Sequence, residues 1–306
     1  MTIDPSGIVE LVLGTMSAGQ GHQTSFAQII SEWLGVEPEQ VRLVTGDTDR
    51  VQAGGGSASA RSMRLGAWVT ANAADEVVEK GRRIAAAMLE VAEEDVEFAR
   101  QRFVVKGTDR SVGLFEAAAT ALEGDLPADL RGPLMGVSDQ VMSIPSFAYT
   151  CAVREVEVDP ETGVVEIVRY TSIDDCGRAV NPMLIQGQSR GGIAQGSGQA
   201  LWEECVYDSD TAQLLSGSLM DYALPSADHL PRFQTEISEV PSTTNPLGMR
   251  GGSEGGITPG LAVVANAIVD ALSEFGIGHI ELPANPSEFG MQSGLRGTTR
   301  NDASAG

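Results

Sequence analysis

Ala148-Tyr149-Thr150-Cys151-Ala152-Val153-Arg154-Glu155-Val156-Glu157-Val158, Asp159-Pro160-Glu161-Thr162-Gly163 and Val164-Val165-Glu166-Ile167-Val168-Arg169-Tyr170 follow one another without a break. The second half of the first segment alternates apolar and charged residues, the period of two that a pleated strand imposes. The middle five residues supply turn chemistry, and the last segment returns as a β-branched partner strand. Together they predict an antiparallel β-hairpin. Cys151 sits among apolar neighbours and is expected in the core.

Working outward, glycine-spaced helical patterning runs from Met183 to Leu201, and a terminal helix is predicted from Leu261 to Phe275. On the N-terminal side, Ile8–Leu13 reads as a strand, followed by a glycine turn and a helix over Ser25–Leu34 that stops at Gly35. Val41–Thr45 reads as a second strand, and a loop at Gly54-Gly55-Gly56 leads to a long helix from about Leu65 to Leu89. Between Gly107 and Ser143 apolar residues are scattered among Gly and Pro, so the domain boundary is placed there. The fold class predicted is α+β, with mixed sheets and packed helices in two subdomains, 1–143 and 144–286. The composition of 287–306 predicts a disordered tail.

The chain has 306 residues, with 42 Asp+Glu against 20 Lys+Arg and a formal net charge of −22. Such a chain repels nucleic acid and anionic membranes unless basic groups cluster, and no cluster is visible. No apolar run reaches about 18 residues, and Met1-Thr2-Ile3-Asp4-Pro5 lacks a signal-peptide pattern, so a cytoplasmic location is expected. Cys151, Cys176 and Cys205 lie too far apart for a metal knuckle, and His22, His229 and His279 are too scattered for a zinc site. No metal is assigned to side chains of this chain.

Four segments carry chemistry. Arg250-Gly251-Gly252-Ser253-Glu254-Gly255-Gly256 sets one carboxylate among glycines just ahead of an apolar stretch, where the backbone can approach a bulky ligand closely. Gly19-Gln20-Gly21-His22-Gln23-Thr24 lies between a strand and a helix, and places an amide between two glycines. Gly54-Gly55-Gly56-Ser57-Ala58-Ser59-Ala60-Arg61-Ser62 offers hydroxyls and a guanidinium with little bulk, a composition suited to phosphate. Asn181-Pro182 with Gln186-Gly187-Gln188 and Gly191-Gly192 sets amides among glycines along a helix. Each also has a plain structural reading: a solvated acid, an ordinary turn, a flexible linker and glycine-mediated helix packing, in that order.

Taken together these segments, with Asp47-Thr48, Asp221-Tyr222-x-Leu224-Pro225 and Thr244-Asn245-Pro246-Leu247-Gly248, resemble the molybdenum-binding subunit of the xanthine oxidase and aldehyde oxidase family of molybdenum hydroxylases. The resemblance runs from about Ile8 to Leu282 and corresponds to the C-terminal half of that subunit. It implies a molybdopterin cofactor, in the cytosine dinucleotide form common in bacterial members. Iron–sulfur clusters and FAD would lie only on partner chains. Gln20 and Gly21, with His22 and Thr24 of the same turn, would contact the pterin or its phosphates. Ser59, Ala60, Arg61 and Ser62 would cradle the pyrophosphate side, with Gln188 and Arg250 also binding the cofactor. Glu254 would be the catalytic general base, drawing the proton from a hydroxyl that attacks an electron-poor carbon.

The implied activity is hydroxylation of an aldehyde, N-heterocycle or similar carbon centre of a small-molecule substrate with water-derived oxygen. The expected partners are a chain carrying the other cofactor half, an iron–sulfur subunit and an FAD subunit. Neither nucleic acid nor membrane is expected as a partner. A non-catalytic assembly fragment is the alternative. One departure from the family pattern stands in Arg250-Gly251-Gly252-Ser253-Glu254, where the family often has Lys-Gly-x-Gly-Glu: charge is kept, but a serine replaces a glycine.

Overall fold

The structure, a computed structural model, describes residues 1–51, 53–252 and 254–286, so Ser253 and the expected tail at 287–306 lie outside the described residues. By its internal contacts the chain divides into two compact units. The first takes Met1–Phe147 together with Arg178–Asn181 and Pro241–Gly251; the second takes Ala148–Gly177, Pro182–Val240 and the described residues from Gly252 onward.

The first unit contains, in chain order, β1 (Thr2–Asp4), β2 (Ile8–Leu13), α1 (His22–Leu34), β3 (Val41–Thr45), α2 (Arg61–Leu89), β4 (Val96–Ala99), β5 (Arg102–Val105), β6 (Ser111–Gly113), α3 (Leu114–Glu123) and β7 (Leu134–Met135). One sheet has the order β3-β2-β1-β7, and the other is an antiparallel meander β4-β5-β6. β2 and β3 are parallel, so the chain must cross over between them, and α1 is that crossover. Val9, Leu11 and Leu13 alternate inward on β2 and meet Phe26, Ile30 and Leu34 of α1 and Ala73, Ala74, Val77 and Ile84 of α2 in one core. Gly35 ends α1 at φ 72°, the left-handed cap that glycine adopts without steric penalty.

α3 falls where the sequence pattern is weak. Its inward face is Leu114 with Ala117, Ala118 and Ala121, and the three alanines give a faint apolar signal although all four residues are buried.

The second unit contains β8 (Tyr149–Val158), β9 (Val165–Asp175), α4 (Pro182–Leu201), β10 (Gln234–Ser238) and α5 (Glu254–Ala271). β8 and β9 form the antiparallel hairpin expected from sequence, and β10 adds parallel to β9. Glu155 pairs with Arg169 and Val156 with Ile167, so Val168 is an extra residue that reverses the inward phase of β9. The helix-facing side carries Thr150 and Arg154 of β8 with Tyr170, Ser172 and Asp174 of β9, an unusually polar set.

Cys151 is therefore exposed, not in the core. It pairs with Ile173 on the outward face, because the register turns the apolar phase of this strand segment outward and the polar phase inward.

α5 begins at Glu254 and ends at Ala271, several residues earlier at both ends than the apolar pattern predicts. Gly255, Gly256 and Pro259 all disfavour a helix locally. Packing on α4 overrides that preference. A Cβ on Gly192 would lie 2.7 Å from the Ile257 backbone nitrogen, one on Gly196 would lie 2.8 Å from that of Leu261, and one on Gly256 would lie 2.2 Å from the Ser189 carbonyl oxygen. The contact positions advance together, so the two helices run parallel with backbone on backbone.

Two tests follow from this packing. Gly191 is exposed and a Cβ there meets nothing within 4 Å; Gly191→Ala should raise stability by up to about 1 kcal/mol, the glycine penalty in a helix. Gly192→Ala and Gly196→Ala should instead lower it by about 1–3 kcal/mol through overpacking, an opposite-sign pair readable from urea midpoints. Burial pushes the Cys176 thiol up to about 11, whereas Cys151 and Cys205 are exposed. Iodoacetamide at neutral pH should label the latter two rapidly in the native chain, and Cys176 only after denaturation.

Candidate functional site

In the first unit, the loop from β2 to α1 and the loop before α2 are joined by a chain of hydroxyls and one amide. Gln20 Nε2 donates to Ser57 Oγ (2.7 Å), Ser62 Oγ donates to the same Ser57 oxygen (2.7 Å), and the Ser62 and Thr15 hydroxyls lie 2.6 Å apart. Gln20 Oε1 accepts from the Ala18 backbone N–H at 2.5 Å, which fixes the amide in its loop. Arg61 Nη1 donates to the Gly56 carbonyl at 2.9 Å, so this guanidinium ties the glycine loop to the start of α2.

Two helix N-termini open onto these loops. α1 follows Gly21 (φ 74°), α2 follows Ala60 (φ 58°), and neither helix has a side-chain cap. The first backbone N–H groups of a helix have no intrahelical acceptor and carry the positive end of its dipole. Here they are offered by His22 and Thr24 of α1 and by Ser62 of α2, whereas the Arg61 N–H already donates to the Ala58 carbonyl at 3.0 Å. Ser59 also has positive φ (50°), and with Ala60 it forms a left-handed pair just ahead of α2.

The His22 imidazole does not reach out with its backbone. It is buried edge-on against Phe26 with Nδ1 unpartnered, and burial holds its pKa below the usual histidine range. Thr24 is exposed.

Arg250 arrives on a segment clamped by Asn245, a buried residue outside the set predicted from sequence. Asn245 Nδ2 donates to the Arg64 carbonyl (2.8 Å), and its Oδ1 accepts from the N–H groups of Leu247 and Met249, both at 3.1 Å. The segment then presses onto the start of α2: a Cβ on Gly251 would stand 1.9 Å from the Ala60 Cβ. Arg250 Nη1 donates to the Phe147 carbonyl at 3.3 Å. Thr15 and Ser57 were missed as site residues because a small polar residue in a loop carries no distinguishing local pattern, and Asn245, although part of the Thr244–Gly248 motif, was given no role because its partners are distant in sequence.

In the second unit, Glu254 is the first residue of α5 and its side chain is exposed. Gln188 is half-buried on α4, next to Ser189, on which Gly256 packs. Gln188 and Glu254 therefore lie toward the same end of the parallel helix pair. Of the α4 glycines, Gly192 and Gly196 serve packing, while a Cβ on Gly187 or Gly191 would meet nothing within 4 Å. Tyr222 donates to Glu203 (2.7 Å), which pushes the phenol up to about 12.

The donors of the first unit suit a group bearing phosphates and a polar ring. Gly56 leaves open space where a side chain would stand, the loop around it is exposed, and uncapped N–H groups flank neutral hydroxyls. Among the described residues no cluster of three or more His, Cys, Asp and Glu could hold a metal ion.

A family model described as the molybdopterin cofactor-binding domain matches residues 1–231. The chain is similar to the 6-hydroxypseudooxynicotine dehydrogenase complex subunit gamma of Paenarthrobacter nicotinovorans, at 36% identity over 97% of this chain and 38% of that one. It is equally similar to the carbon monoxide dehydrogenase large chain of Afipia carboxidovorans, at 36% identity over 92% of this chain and 35% of the relative. In three dimensions it resembles reconstituted CO dehydrogenase from Oligotropha carboxidovorans, with a TM-score of 0.86 and 33% identity over 96% of this chain and 37% of that chain. The chain thus spans well under half the length of the relatives it matches. The α+β fold and the family resemblance read from its sequence both stand, and the chain belongs to the molybdopterin cofactor-binding domain family of the xanthine oxidase-type molybdenum hydroxylases.

Proposed function

We propose that this chain is the molybdenum-cofactor-binding part of an oxidoreductase that hydroxylates an aldehyde, N-heterocycle or similar carbon centre with water-derived oxygen. The observation that carries the reading is the pair of uncapped helix N-termini joined by the Gln20–Ser57–Ser62–Thr15 chain, in a unit matched by the cofactor-binding family model. Backbone N–H groups at Gly21, His22 and Thr24, and at Ser59, Ala60 and Ser62, bind phosphate oxygens, while the Arg61 N–H stays with the Ala58 carbonyl. The Gln20 amide and the Ser57 hydroxyl orient the polar ring. Arg61 and Arg250 act mainly by shaping their loops, and Gln188 donates from α4. The cofactor is molybdopterin, in the cytosine dinucleotide form, and when bound it supplies the two-electron redox chemistry.

Glu254 is the general base. Its carboxylate takes the proton from the attacking hydroxyl, and it stands exposed at the start of α5. Arg154, although buried, does not neutralise it: the Arg154 guanidinium is pushed down by burial to about 10, remains charged at neutral pH, and is spent on Ser197, Gly260 and the Tyr170 ring.

The working enzyme is completed by the remainder of the molybdenum subunit and by iron–sulfur and FAD subunits, in the cytoplasm. Large apolar side chains left in solvent support a partner: Val137, Val141 (87% exposed), Ile144 and Phe147 in the first unit, and Leu219, Met220 (92%) and Leu224 in the second.

In the assembled enzyme, Glu254→Gln should keep cofactor content while turnover falls by at least ~10²–10⁴, the contribution of a positioned general base. Near-full activity at saturating substrate would refute the base role, and loss of cofactor together with activity would make Glu254 an anchor of the loop. The isolated chain should self-associate despite its charge of −22; light scattering that finds a clean, stable monomer would argue against a missing partner surface.

A further inference from the structure

Asp174 is a carboxylate that the proposed chemistry does not use, yet it lies beneath the residue that chemistry depends on. It stands near the end of β9, only 3% exposed. Its Oδ2 accepts from the Ser189 hydroxyl of α4 at 2.7 Å, and its Oδ1 has no hydrogen-bond partner. Thr150, its cross-strand partner on β8, has an unpartnered Oγ1 as well. A Cβ on Gly255 would lie 2.7 Å from the Thr150 Oγ1 and 3.0 Å from the Asp174 Oδ1, so the backbone of the residue after Glu254 rests directly on these two oxygens.

A buried carboxylate is costly unless something compensates its charge. Among the described residues no cation forms a salt bridge with Asp174. The buried Arg154 is engaged one step along the same sheet face, by Ser197 and by the Gly260 carbonyl. What faces Asp174 instead is the start of α5, whose first N–H groups lack intrahelical acceptors and whose dipole presents its positive end. That turn contains two glycines and is followed by Pro259, so its own sequence gives little reason to be helical. A negative charge fixed from below favours the helical turn, and the Ser189 hydroxyl holds that charge in place.

We propose that Asp174 is a positioning residue: its buried negative charge holds the first turn of α5 in helical form on β8 and β9, and so sets where the Glu254 carboxylate points. The role of Glu254 in this statement rests on the general-base reading above; the hold of Asp174 on α5 does not.

The first arm of the test uses the full chain alone. Backbone hydrogen exchange is followed at Thr258 and Gly260, whose N–H groups bond into the first turn by helix geometry, with Ala265 to Ile268 as internal controls. Asp174→Asn, nearly isosteric but uncharged, should speed exchange at Thr258 and Gly260 about tenfold while the controls change little. Equal exchange in the variant and the parent, or a uniform loss of protection along α5, overturns the proposal. Should Asp174→Asn fail to fold, Ser189→Ala keeps the charge and removes its tether, and should produce a smaller, severalfold acceleration at the same two amides; no acceleration there overturns it equally.

The second arm uses the assembled enzyme. Asp174→Asn should lower kcat about tenfold with KM and cofactor content unchanged, and an unchanged kcat overturns the positioning role. If Glu254→Gln is active in that enzyme, the general-base reading fails by itself, and the exchange result still decides whether Asp174 holds the helix.

Discussion

Backbone lies against backbone along α4 and α5, with Gly192 and Gly196 of one helix and Gly256 of the other taking positions where any side chain would collide with a main-chain atom. Much of the second unit follows from this contact. Close approach lets α5 begin at Glu254 in spite of two glycines and a proline, because burial and main-chain packing outweigh local preference. It also fixes the end of the pair at which Gln188 and Glu254 stand. The apolar core of this unit, with Ile167, Leu201, Val264 and Ile268 at its centre, lies farther along the helices and anchors them there. Toward Glu254 that core gives way to Arg154, Ser189, Ser197 and Asp174, where polar atoms and glycines replace hydrocarbon. Such a region is stable only while its hydrogen bonds are made, which ties the placement of Glu254 to a few specific contacts.

The first unit handles charge in a different way. The chain carries a net charge of −22, and Arg61 is bound up in its own loop. The attractive field there comes from main-chain N–H groups at two helix N-termini, each reached through a left-handed residue. Backbone donors carry no side-chain entropy cost and need no net positive charge. A strongly acidic chain can therefore offer a surface suited to phosphate without a basic patch.

The units also differ in how their polar side chains are used. Thr15, Ser57, Ser62 and Gln20 satisfy one another in a short relay that holds two loops together, leaving the backbone as the outward-facing chemistry. In the second unit Thr150 Oγ1, Ser172 Oγ and Asp174 Oδ1 remain unpartnered although buried. Native structures rarely leave such groups without a reason, and here they lie on the sheet face beneath the α5 turn that carries the proposed base.

Much was legible in the residues themselves. Alternation and turn chemistry marked the β8–β9 hairpin, Gly35 marked the end of α1, and the ordered Gly-Gln-Gly, Asn-Pro and Arg-Gly-Gly-Ser-Glu segments pointed to the family. These signals are local, set by φ preference, hydrophobic period or a short motif. Tertiary structure decided the rest. α3 escaped notice because alanines bury without a strong apolar signature, and α5 started early because α4 lay against it. Cys151 faced outward because the pairing of β8 with β9 sets the phase of the strand, and composition carries no information about phase. Neither the relay through Ser57 nor the Asn245 clamp could be read beforehand, since each depends on residues far apart in sequence meeting within hydrogen-bond distance. Which glycines serve packing and which stand open was likewise settled only by what lies across from each one, a property of the folded chain alone.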